Sequence, residues 1–480
     1  MKMFIGGSWV ESSSGTTLEK INPSTGKIIE RFPAGTKADI DEAVDAAEEA
    51  FIKWSSIPSS SRSIILFKTI QLIINKRKEL EDLLVLENGK IPKEAKEEVD
   101  GVIDEIQYYA EFAKKITGDV IEGPILNSRI FQYKVPYGVI AALTPWNYPA
   151  EMVARKLAPA LITGNTVVLK PSSDTPLSAA WLVSKFVEAG IPKGVLNLVT
   201  GKGDEIGDYL VSHKKISLVT MTGSTKTGQK IMQDASKNMA KLILELGGKA
   251  PFIVWKDADI DEALKVLLWA KFSNSGQSCI AAERLYIHED IYDKFLSKFS
   301  KATKELKVGD PLKSDLGPLI NERAIRAMQN FVKYANEEGD KITVGGNRIS
   351  SEGEFRDGYF FEPTIIEGVR QESDLFQEEI FGPIIPVGKV SDKEEMIRKA
   401  NDSKYGLASY LFTSNVDLIF RAFEEIRFGE LYVNISGPEA VQGYHTGFRL
   451  TGQGGEGSKY GIEEFLKIKN NYIRYWSAPS

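Results

Sequence analysis

Cysteine is almost absent from this chain of 480 residues, which contains only Cys279. One cysteine cannot form an intrachain disulfide, and its scarcity favours a reducing compartment. Histidine is nearly as rare: His213, His288 and His445 lie far apart, and none has the spacing to another ligand that is typical of a metal site. The sequence therefore predicts neither a disulfide framework nor a bound metal.

An excess of one charge is also lacking, since Asp and Glu number 66 and Lys and Arg 60. The net charge of −6 provides no general attraction for nucleic acid or an anionic membrane. The amino terminus has no apolar signal segment, and apolar runs such as residues 137–143 are too short to span a bilayer. We expect a soluble, cytoplasmic protein.

Strand-like apolar segments alternate with helical ones after residue 138. The predicted strands are residues 138–143, 166–170, 194–200 and 217–222, and the helices between them are residues 148–161, 176–189 and 204–212. This alternation is typical of a parallel, doubly wound sheet. It restarts after Glu245 and reaches Val433, so two α/β units are expected, as the length also requires.

Other segments flank these units. Helices are predicted over residues 38–54, 61–86 and 94–115. Residues 128–135 and 466–476 are predicted to be strands at an edge, without a local partner. Such strands pair with another segment or another subunit.

Each strand of the first unit ends in a polar turn rich in glycine or proline, and ligands of such sheets bind beyond these ends. Any one turn could be an ordinary loop, but together they predict a nucleotide site. The turn 223–228 is neither the dinucleotide glycine fingerprint nor a P-loop, because Gln229 follows Gly228. It still opens a helix, whose free N–H groups suit a pyrophosphate.

Two further features suggest covalent chemistry. Cys279 closes the segment Asn-Ser-Gly-Gln-Ser-Cys (274–279), and Glu245 opens Glu-Leu-Gly-Gly-Lys (245–249). A thiol and a carboxylate are what a covalent mechanism with later hydrolysis needs. The alternatives are that Cys279 is a small buried hydrophobe and that Glu245 caps a surface turn.

Six motifs together resemble those of the NAD(P)-dependent aldehyde dehydrogenase superfamily, in the family's order and over nearly the whole chain. They are Thr-Pro-Trp-Asn (144–147), Lys-Pro-Ser (170–172), Thr-Gly-Ser-Thr (222–225), Glu-Leu-Gly-Gly-Lys (245–249), Gly-Gln-Ser-Cys (276–279) and Glu-Glu-Ile-Phe-Gly-Pro (378–383). The resemblance implies the α/β fold of that family. Its parts would be a Rossmann-like cofactor domain (1–127 and 138–245), an α/β catalytic domain (246–433) and a small oligomerisation sheet (128–137 and 434–480).

The resemblance also implies a mechanism. The Cys279 thiolate would attack an aldehyde, while the Asn147 amide and the Cys279 N–H hold the oxyanion. Hydride loss to the nicotinamide would leave a thioester, which Glu245 would hydrolyse as general base. A binding protein that has lost this chemistry is the non-enzymatic alternative, against which these three residues argue. A nucleotide-binding kinase is a third hypothesis, and it is weakened because the turn 223–228 does not match the P-loop pattern.

For the cofactor, the resemblance places Lys170 at the adenine ribose, Glu379 at the nicotinamide ribose and Phe381 near the ring. Ser173 stands where many NAD-preferring relatives have Glu, which predicts NADP, with NAD as the alternative; Ser173 could also merely precede a helix. The remaining cofactor contacts implied are Thr144, Pro145, Trp146, Ser172, Gly203, Gly223, Ser224 and Leu246.

The substrate prediction depends on three side chains. Residues 437–445 resemble a loop of lactaldehyde and glyceraldehyde dehydrogenases, and Arg155, Glu439 and His445 would converge above Cys279. A polar pocket suits a small hydroxyaldehyde: glyceraldehyde first, with lactaldehyde or glycolaldehyde as alternatives. Because Arg155 is positively charged, succinate semialdehyde remains an alternative substrate. The alternative to a substrate role is that Arg155 and Glu439 form a structural ion pair with His445 packed beside it. The resemblance also implies a homo-oligomer, either a dimer or a homotetramer built as a dimer of dimers.

Overall fold

The computed structural model describes residues 1–350, 353–435, 437 and 439–476. Pro438 of the loop 437–445 and the last four residues of the segment 434–480 lie outside the described residues. Four sheets and the helices packed on them make up the described chain.

The first sheet has eight strands, of which the central ones are parallel and buried. Its strands, in spatial order, are Gly452–Gln453, Lys241–Glu245, Ile216–Thr222, Val139–Leu143, Thr166–Lys170, Leu196–Leu198, Met3–Ile5 and Ser8–Val10. Continuous apolar sequence gives these strands two buried faces, as parallel sheets covered by helices require. The predicted doubly wound sheet is confirmed.

The register of this sheet brings the polar turns together. Leu143 pairs with Lys170 and with Met221, and Thr222 pairs with Glu245. The carboxyl ends of four neighbouring strands therefore lie along one edge, where a ligand of an open α/β sheet is expected.

The second sheet has seven strands and is parallel except at one edge. Its strands, in order, are Lys341–Val344, Thr364–Glu367, Ile384–Val390, Ala282–His288, Ala250–Val254, Ala408–Phe412 and Glu430–Val433. It confirms the second α/β unit, whose last strand ends at Val433.

The third sheet confirms that the two predicted edge strands pair with a distant segment of the chain. Leu466–Arg474 pairs antiparallel with Ser128–Pro136 along its whole length, and Asp119–Glu122 completes the sheet. The two strands predicted to lack a local partner are thus each other's partners. They are more than 300 residues apart, a separation that strand patterns do not report. A fourth sheet pairs Thr17–Ile21 with Ile28–Pro33.

Helices cover both large sheets, and one predicted helix is divided. In place of a single helix over 61–86, Ser59–Asn75 ends at Lys76 and Arg77–Asn88 begins after it, because Lys76 leaves helical geometry (φ −121°, ψ 21°). The other α-helices are Lys37–Ser56, Pro92–Glu111, Glu151–Ile162, Pro176–Glu188, Asp208–Val211, Thr225–Ala235, Ile260–Phe272, Tyr292–Glu305, Glu322–Glu338, Asp374–Gln377, Lys393–Asn401, Val416–Glu425 and Ser458–Glu463. Among the described residues, no helix has both the length and the apolar character needed to cross a membrane.

Candidate active site

A strained turn presents Cys279. After the helix Ile260–Phe272, Asn274 and Ser275 take left-handed backbone angles (φ 49° and 56°), followed by Gly276 at φ 76°. A side chain at Gly276 would meet the carbonyl oxygen of Gly382 at 2.3 Å, so only glycine fits there. Left-handed residues that are not glycine cluster at functional sites, where the surroundings hold them.

Buried polar groups hold this turn. The Asn274 N–H donates to Glu94 Oε1 (2.7 Å), and the Ser275 hydroxyl donates to the Gly317 carbonyl (2.7 Å). Gln277 donates from Nε2 to the Asn274 carbonyl (2.9 Å) and accepts from the Ile320 N–H (2.9 Å). The position of the thiol is therefore fixed from several sides.

Cys279 lies in a narrow cavity between the two large sheets, close to Glu439 and His445. The Cys279 sulfur, a carboxylate oxygen of Glu439 and a ring nitrogen of His445 lie within 4.8 Å of one another. Burial raises the pKa of the Cys279 thiol, and the neighbouring His445 offsets part of that rise. The thiol thus needs a nearby cation or base to ionise near neutral pH.

His445 is held by carboxylates on more than one side. Its Nδ1 lies 2.9 Å from Glu430 Oε1 and 3.4 Å from Glu439 Oε1, and its Nε2 lies 3.7 Å from Glu245 Oε2. Burial alone would lower the pKa of His445, but Glu439 and Glu430 raise it well above its ordinary value. A positively charged imidazolium therefore faces the thiol.

Glu245 ends a strand of the first sheet and points into the same cavity. Both of its carboxylate oxygens are buried, and neither has a hydrogen-bond partner among the described residues. Burial raises the pKa of Glu245 well above its ordinary value, although His445 opposes the rise. A carboxylate in such surroundings is a stronger base than one in water.

Asn147 is buried on the other side of the turn. Its side-chain Nδ2 donates to the backbone carbonyl of Gln277 (3.1 Å), and the backbone carbonyl of Asn147 accepts from Asn274 Nδ2 (3.0 Å). An amide nitrogen carries two hydrogens, so the second is available for another acceptor. The structure thus brings Asn147, Glu245 and Cys279 to one cavity.

Arg155, Glu439 and His445 do meet beside Cys279, and each nitrogen of Arg155 contacts a carboxyl group there. Its guanidinium donates to Glu439 Oε2 (2.6 Å), Glu105 Oε1 (2.8 Å) and Glu151 Oε1 (3.3 Å). Arg155 and Glu439 therefore form an ion pair through Oε2 of Glu439. The other oxygen, Oε1, faces His445. Burial also raises the pKa of Glu151 to about 8.

Sequence reasoning missed several buried acids of the site. Glu430 comes from the second sheet, Glu105 from the helix Pro92–Glu111, and Glu456 receives a hydrogen bond from Lys156 Nζ (2.6 Å) beside Glu245. Glu105 and Glu430 belong to no motif and reach the site only through the packing of distant elements. Lys156, which follows Arg155 in a helix that is apolar from residue 157 onward, was the one available signal for a buried acid such as Glu456.

The cofactor residues predicted from sequence lie along the turn edge of the first sheet. Thr144 Oγ1 is buried and has no hydrogen-bond partner among the described residues. Lys170 is buried, donates to the Pro171 carbonyl (3.2 Å), and has a pKa lowered by burial to about 8. The Ser173 hydroxyl donates to the Gly201 carbonyl (2.9 Å).

The remaining predicted contacts surround these three. Ser172 and Pro145 are half-buried, Gly203 is exposed with no heavy atom within 4 Å of an added side chain, and Leu246 is buried. The Gly223 N–H donates to the Glu245 carbonyl, and Ser224 caps the helix Thr225–Ala235 by accepting from the Thr227 N–H.

Glu379 and Phe381 approach from the second unit. Glu379 Oε1 accepts from the Gly248 N–H (2.8 Å), and burial raises the pKa of Glu379 to about 7. Phe381 has a left-handed backbone (φ 53°), and its ring lies edge-on to Trp146 with centroids 5.4 Å apart. Groups from both units thus bound one crevice.

Comparison with known proteins agrees with this arrangement. Residues 9–471 match the family model described as "Aldehyde dehydrogenase family". The chain is 64% identical to the D-glyceraldehyde dehydrogenase (NADP(+)) of Picrophilus torridus over 99% of its length and 96% of that protein, and 64% identical to the enzyme of that name from Thermoplasma acidophilum over 100% and 97%. The crystal structure of lactaldehyde dehydrogenase from Escherichia coli matches with a TM-score of 0.96 at 40% identity, over 99% of each chain.

Proposed function

The chain belongs to the aldehyde dehydrogenase family, and from that premise we propose that it oxidises glyceraldehyde to the carboxylic acid with NADP⁺. The observation that carries the choice of substrate is the pair Glu439 and His445, which place a carboxylate oxygen and an imidazole beside the Cys279 sulfur. The 64% identity to two D-glyceraldehyde dehydrogenases (NADP(+)) supports both substrate and cofactor.

In the first half of the reaction, Cys279 acts as nucleophile. Its thiolate, favoured by the imidazolium of His445, adds to the aldehyde carbon and gives a thiohemiacetal. The free hydrogen of Asn147 Nδ2 and the Cys279 N–H then hold the oxygen as it gains negative charge. Loss of hydride from the carbon leaves a thioester on Cys279.

The crevice has the groups that an NADP⁺ molecule needs. Thr144 offers an unpartnered buried hydroxyl, Lys170 a buried ammonium, and the helix beginning at Thr225 free N–H groups for a phosphate. Glu379 would accept from the nicotinamide ribose, and Phe381 would bound the ring. When bound, NADP⁺ supplies the acceptor for the hydride.

Glu245 carries out the second half. It takes a proton from a water molecule, the oxygen of that water attacks the thioester carbon, and the acid leaves as the Cys279 thiolate is restored. The unpartnered oxygens of Glu245 support this role, because they are free to orient the water.

The preference for NADP⁺ rests on Ser173 and Lys170. A small hydroxyl at 173 leaves room for a 2′-phosphate, and Lys170 adds positive charge. The variant Ser173→Glu would repel that phosphate, so kcat/KM should shift towards NAD⁺. Wild-type preference for NAD⁺, or an unchanged ratio of kcat/KM in the variant, would contradict the proposal.

The polar pocket supports a hydroxyaldehyde more than a substrate with a carboxylate. Each nitrogen of Arg155 lies within 3.3 Å of a carboxyl oxygen. The charge of Arg155 is therefore already balanced by protein side chains and attracts the carboxylate of succinate semialdehyde only weakly. Glu439 and His445 can accept from and donate to a substrate hydroxyl, and a site built for a hydroxyl discriminates against analogues that lack it.

The substrate is tested with His445→Asn and Glu439→Gln, each assayed with glyceraldehyde and with propanal. We expect kcat/KM for glyceraldehyde to fall roughly 5- to 150-fold more than for propanal, because a lost hydrogen bond to a hydroxyl costs about 1–3 kcal/mol. Equal losses for both aldehydes would refute the hydroxyl contact. Lactaldehyde and glycolaldehyde in the same survey separate glyceraldehyde from the other hydroxyaldehydes.

The parts of the chain are proposed to divide as the family resemblance implies: residues 1–127 and 138–245 bind the cofactor, residues 246–433 carry catalysis, and residues 128–137 and 434–480 join subunits into a homotetramer. The single free cysteine supports a cytoplasmic location, where thiols stay reduced.

A further inference from the structure

The cavity at Cys279 gathers ligands of a kind that zinc prefers. The Cys279 sulfur, a Glu439 carboxylate oxygen and a His445 ring nitrogen lie within 4.8 Å of one another. Tetrahedral zinc with bonds of about 2.0–2.3 Å to such atoms holds its ligands roughly 3.3–3.8 Å apart. Small side-chain rotations would therefore close this set around one ion.

The side chains that contact these ligands, Glu430 and Arg155, are arranged as the outer partners of a zinc site are. Glu430 Oε1 lies 2.9 Å from His445 Nδ1, and the other oxygen of Glu430 accepts from the Tyr432 hydroxyl (2.8 Å). This contact leaves His445 Nε2 as the nitrogen for a metal. Arg155 holds Glu439 Oε2 at 2.6 Å, which leaves Oε1 as the ligand oxygen. Such outer partners fix the orientation of metal ligands and raise their basicity.

Glu245 provides an independent reason to expect an ion. It is 3% exposed, its two oxygens have no hydrogen-bond partner among the described residues, and Oε2 lies 3.7 Å from His445 Nε2. It borders the same cavity as the other three residues. A buried carboxylate without a hydrogen bond is costly, and a metal ion would supply the direct bonds that the 3.7 Å contact with His445 does not.

We propose that this cavity is a reversible inhibitory binding site for Zn²⁺, with Cys279, Glu439, His445 and Glu245 as ligands. When the ion binds, Cys279 releases its thiol proton and His445 releases the proton on Nε2 to solvent, so the nucleophile is held as a zinc thiolate beside a neutral imidazole. Four protein ligands leave no open position for an activated water, and the ion therefore blocks aldehyde oxidation rather than assisting it. Thiolate and imidazole select Zn²⁺ over Mg²⁺ and Ca²⁺.

Cobalt provides the direct test, because Co²⁺ takes the place of zinc and reports its ligands by absorbance. Titration of the full-length protein with Co²⁺ should produce a thiolate-to-cobalt charge-transfer band that saturates at one equivalent and is abolished by added Zn²⁺. Cys279 is the only cysteine, so the band can arise from no other residue. It should be lost in Cys279→Ala.

Variants of the other ligands locate the site. His445→Asn and Glu439→Gln should weaken Co²⁺ and Zn²⁺ binding by roughly 10–100-fold or more. His213→Asn, a histidine paired with Asp41 far from the cavity, is the matched control and should bind both ions as the wild type does. Absence of the band in the wild type, or wild-type affinity in both ligand variants, would overturn the proposal.

Enzyme assays give the second arm. Zn²⁺ should inhibit wild-type oxidation, a chelator should restore it, and saturating aldehyde should protect against it because both occupy one cavity. Inhibition that a chelator does not reverse would also count against the site. Activity without zinc is measured in the same preparations, so a protein that binds cobalt but oxidises no aldehyde would refute the proposed function alone.

Discussion

Glu245 is a buried carboxylate without hydrogen-bond partners in the described part of the chain, and it keeps its proton to a higher pH than an ordinary glutamate. Burial raises the pKa of Glu245, and only the ionised form can take a proton from water. Turnover limited by thioester hydrolysis should therefore rise with pH beyond the usual range of glutamate. The profile of kcat against pH measures this, and a flat profile from about pH 5 upward would contradict the role given to Glu245.

The two halves of the proposed reaction separate in two variants. Cys279→Ala should abolish oxidation, because no other thiol is present. Glu245→Gln should still form the thioester but lower steady turnover by about 10²–10⁴-fold, the range for loss of a general base.

Stopped-flow measurement of the absorbance of the reduced nicotinamide tests the predictions for both variants. A burst of one equivalent per active site followed by a slow phase is expected for Glu245→Gln, and no burst for Cys279→Ala. Full turnover by either variant would remove the residue from the mechanism.

At the scale of elements, the turn before Cys279 depends on Gly276. The variant Gly276→Ala adds a side chain at φ 76° that would meet the Gly382 carbonyl oxygen at 2.3 Å. The matched control is Gly339→Ala, which has φ 79° at a helix end and nothing within 4 Å. Backbone strain alone costs about 1–2 kcal/mol.

The control should therefore lose about that much free energy of unfolding and keep its activity. Gly276→Ala should lose more stability and most of its activity, because the turn must move. Thermal unfolding and kcat measure the two effects. Equal losses of stability in the two variants would show that the close approach to Gly382 has no consequence.

The elements of this fold were largely predictable from the sequence, because parallel strands that are buried on both faces consist of short runs of apolar residues. The strand Thr166–Lys170 was predicted at its observed bounds, and the turns at Leu143, Lys170 and Thr222 were correctly expected at one edge. The break at Lys76 was not predictable, since helical periodicity continues on both sides of it. Motifs located Cys279 and Glu245, whereas Glu430 entered the site through packing that no local pattern records.

For the whole molecule, the third sheet carries apolar side chains that the single chain leaves exposed. Ile468 and Tyr472 lie on one face of the strand Leu466–Arg474 and are 66% and 71% exposed, and Leu126 nearby is 84% exposed. Exposed apolar surface of this kind is typical of interaction sites, and we expect it to join subunits. We expect light scattering at micromolar concentration to give a multiple of the 53.2 kDa chain mass.

A double variant tests the location of that interface. Ile468→Asp with Tyr472→Asp should lower the mass measured by light scattering, because it places two charges in an apolar contact. Ile52→Asp, at an exposed position on the helix Lys37–Ser56, is the control and should leave the assembly intact. A wild-type mass of 53.2 kDa would exclude the homotetramer.

The segment after Val433 has a consequence for synthesis of the chain on the ribosome. It supplies Glu439 and His445, and its Gly452 pairs with Glu245 while the Leu246 N–H donates to the Thr451 carbonyl (2.7 Å). Translation delivers these residues after most strands of both α/β units have been made. A nascent or prematurely terminated chain would thus display Cys279 without Glu439 and His445, and its thiol would stay open to other reagents in the cell until residues 439–445 emerge.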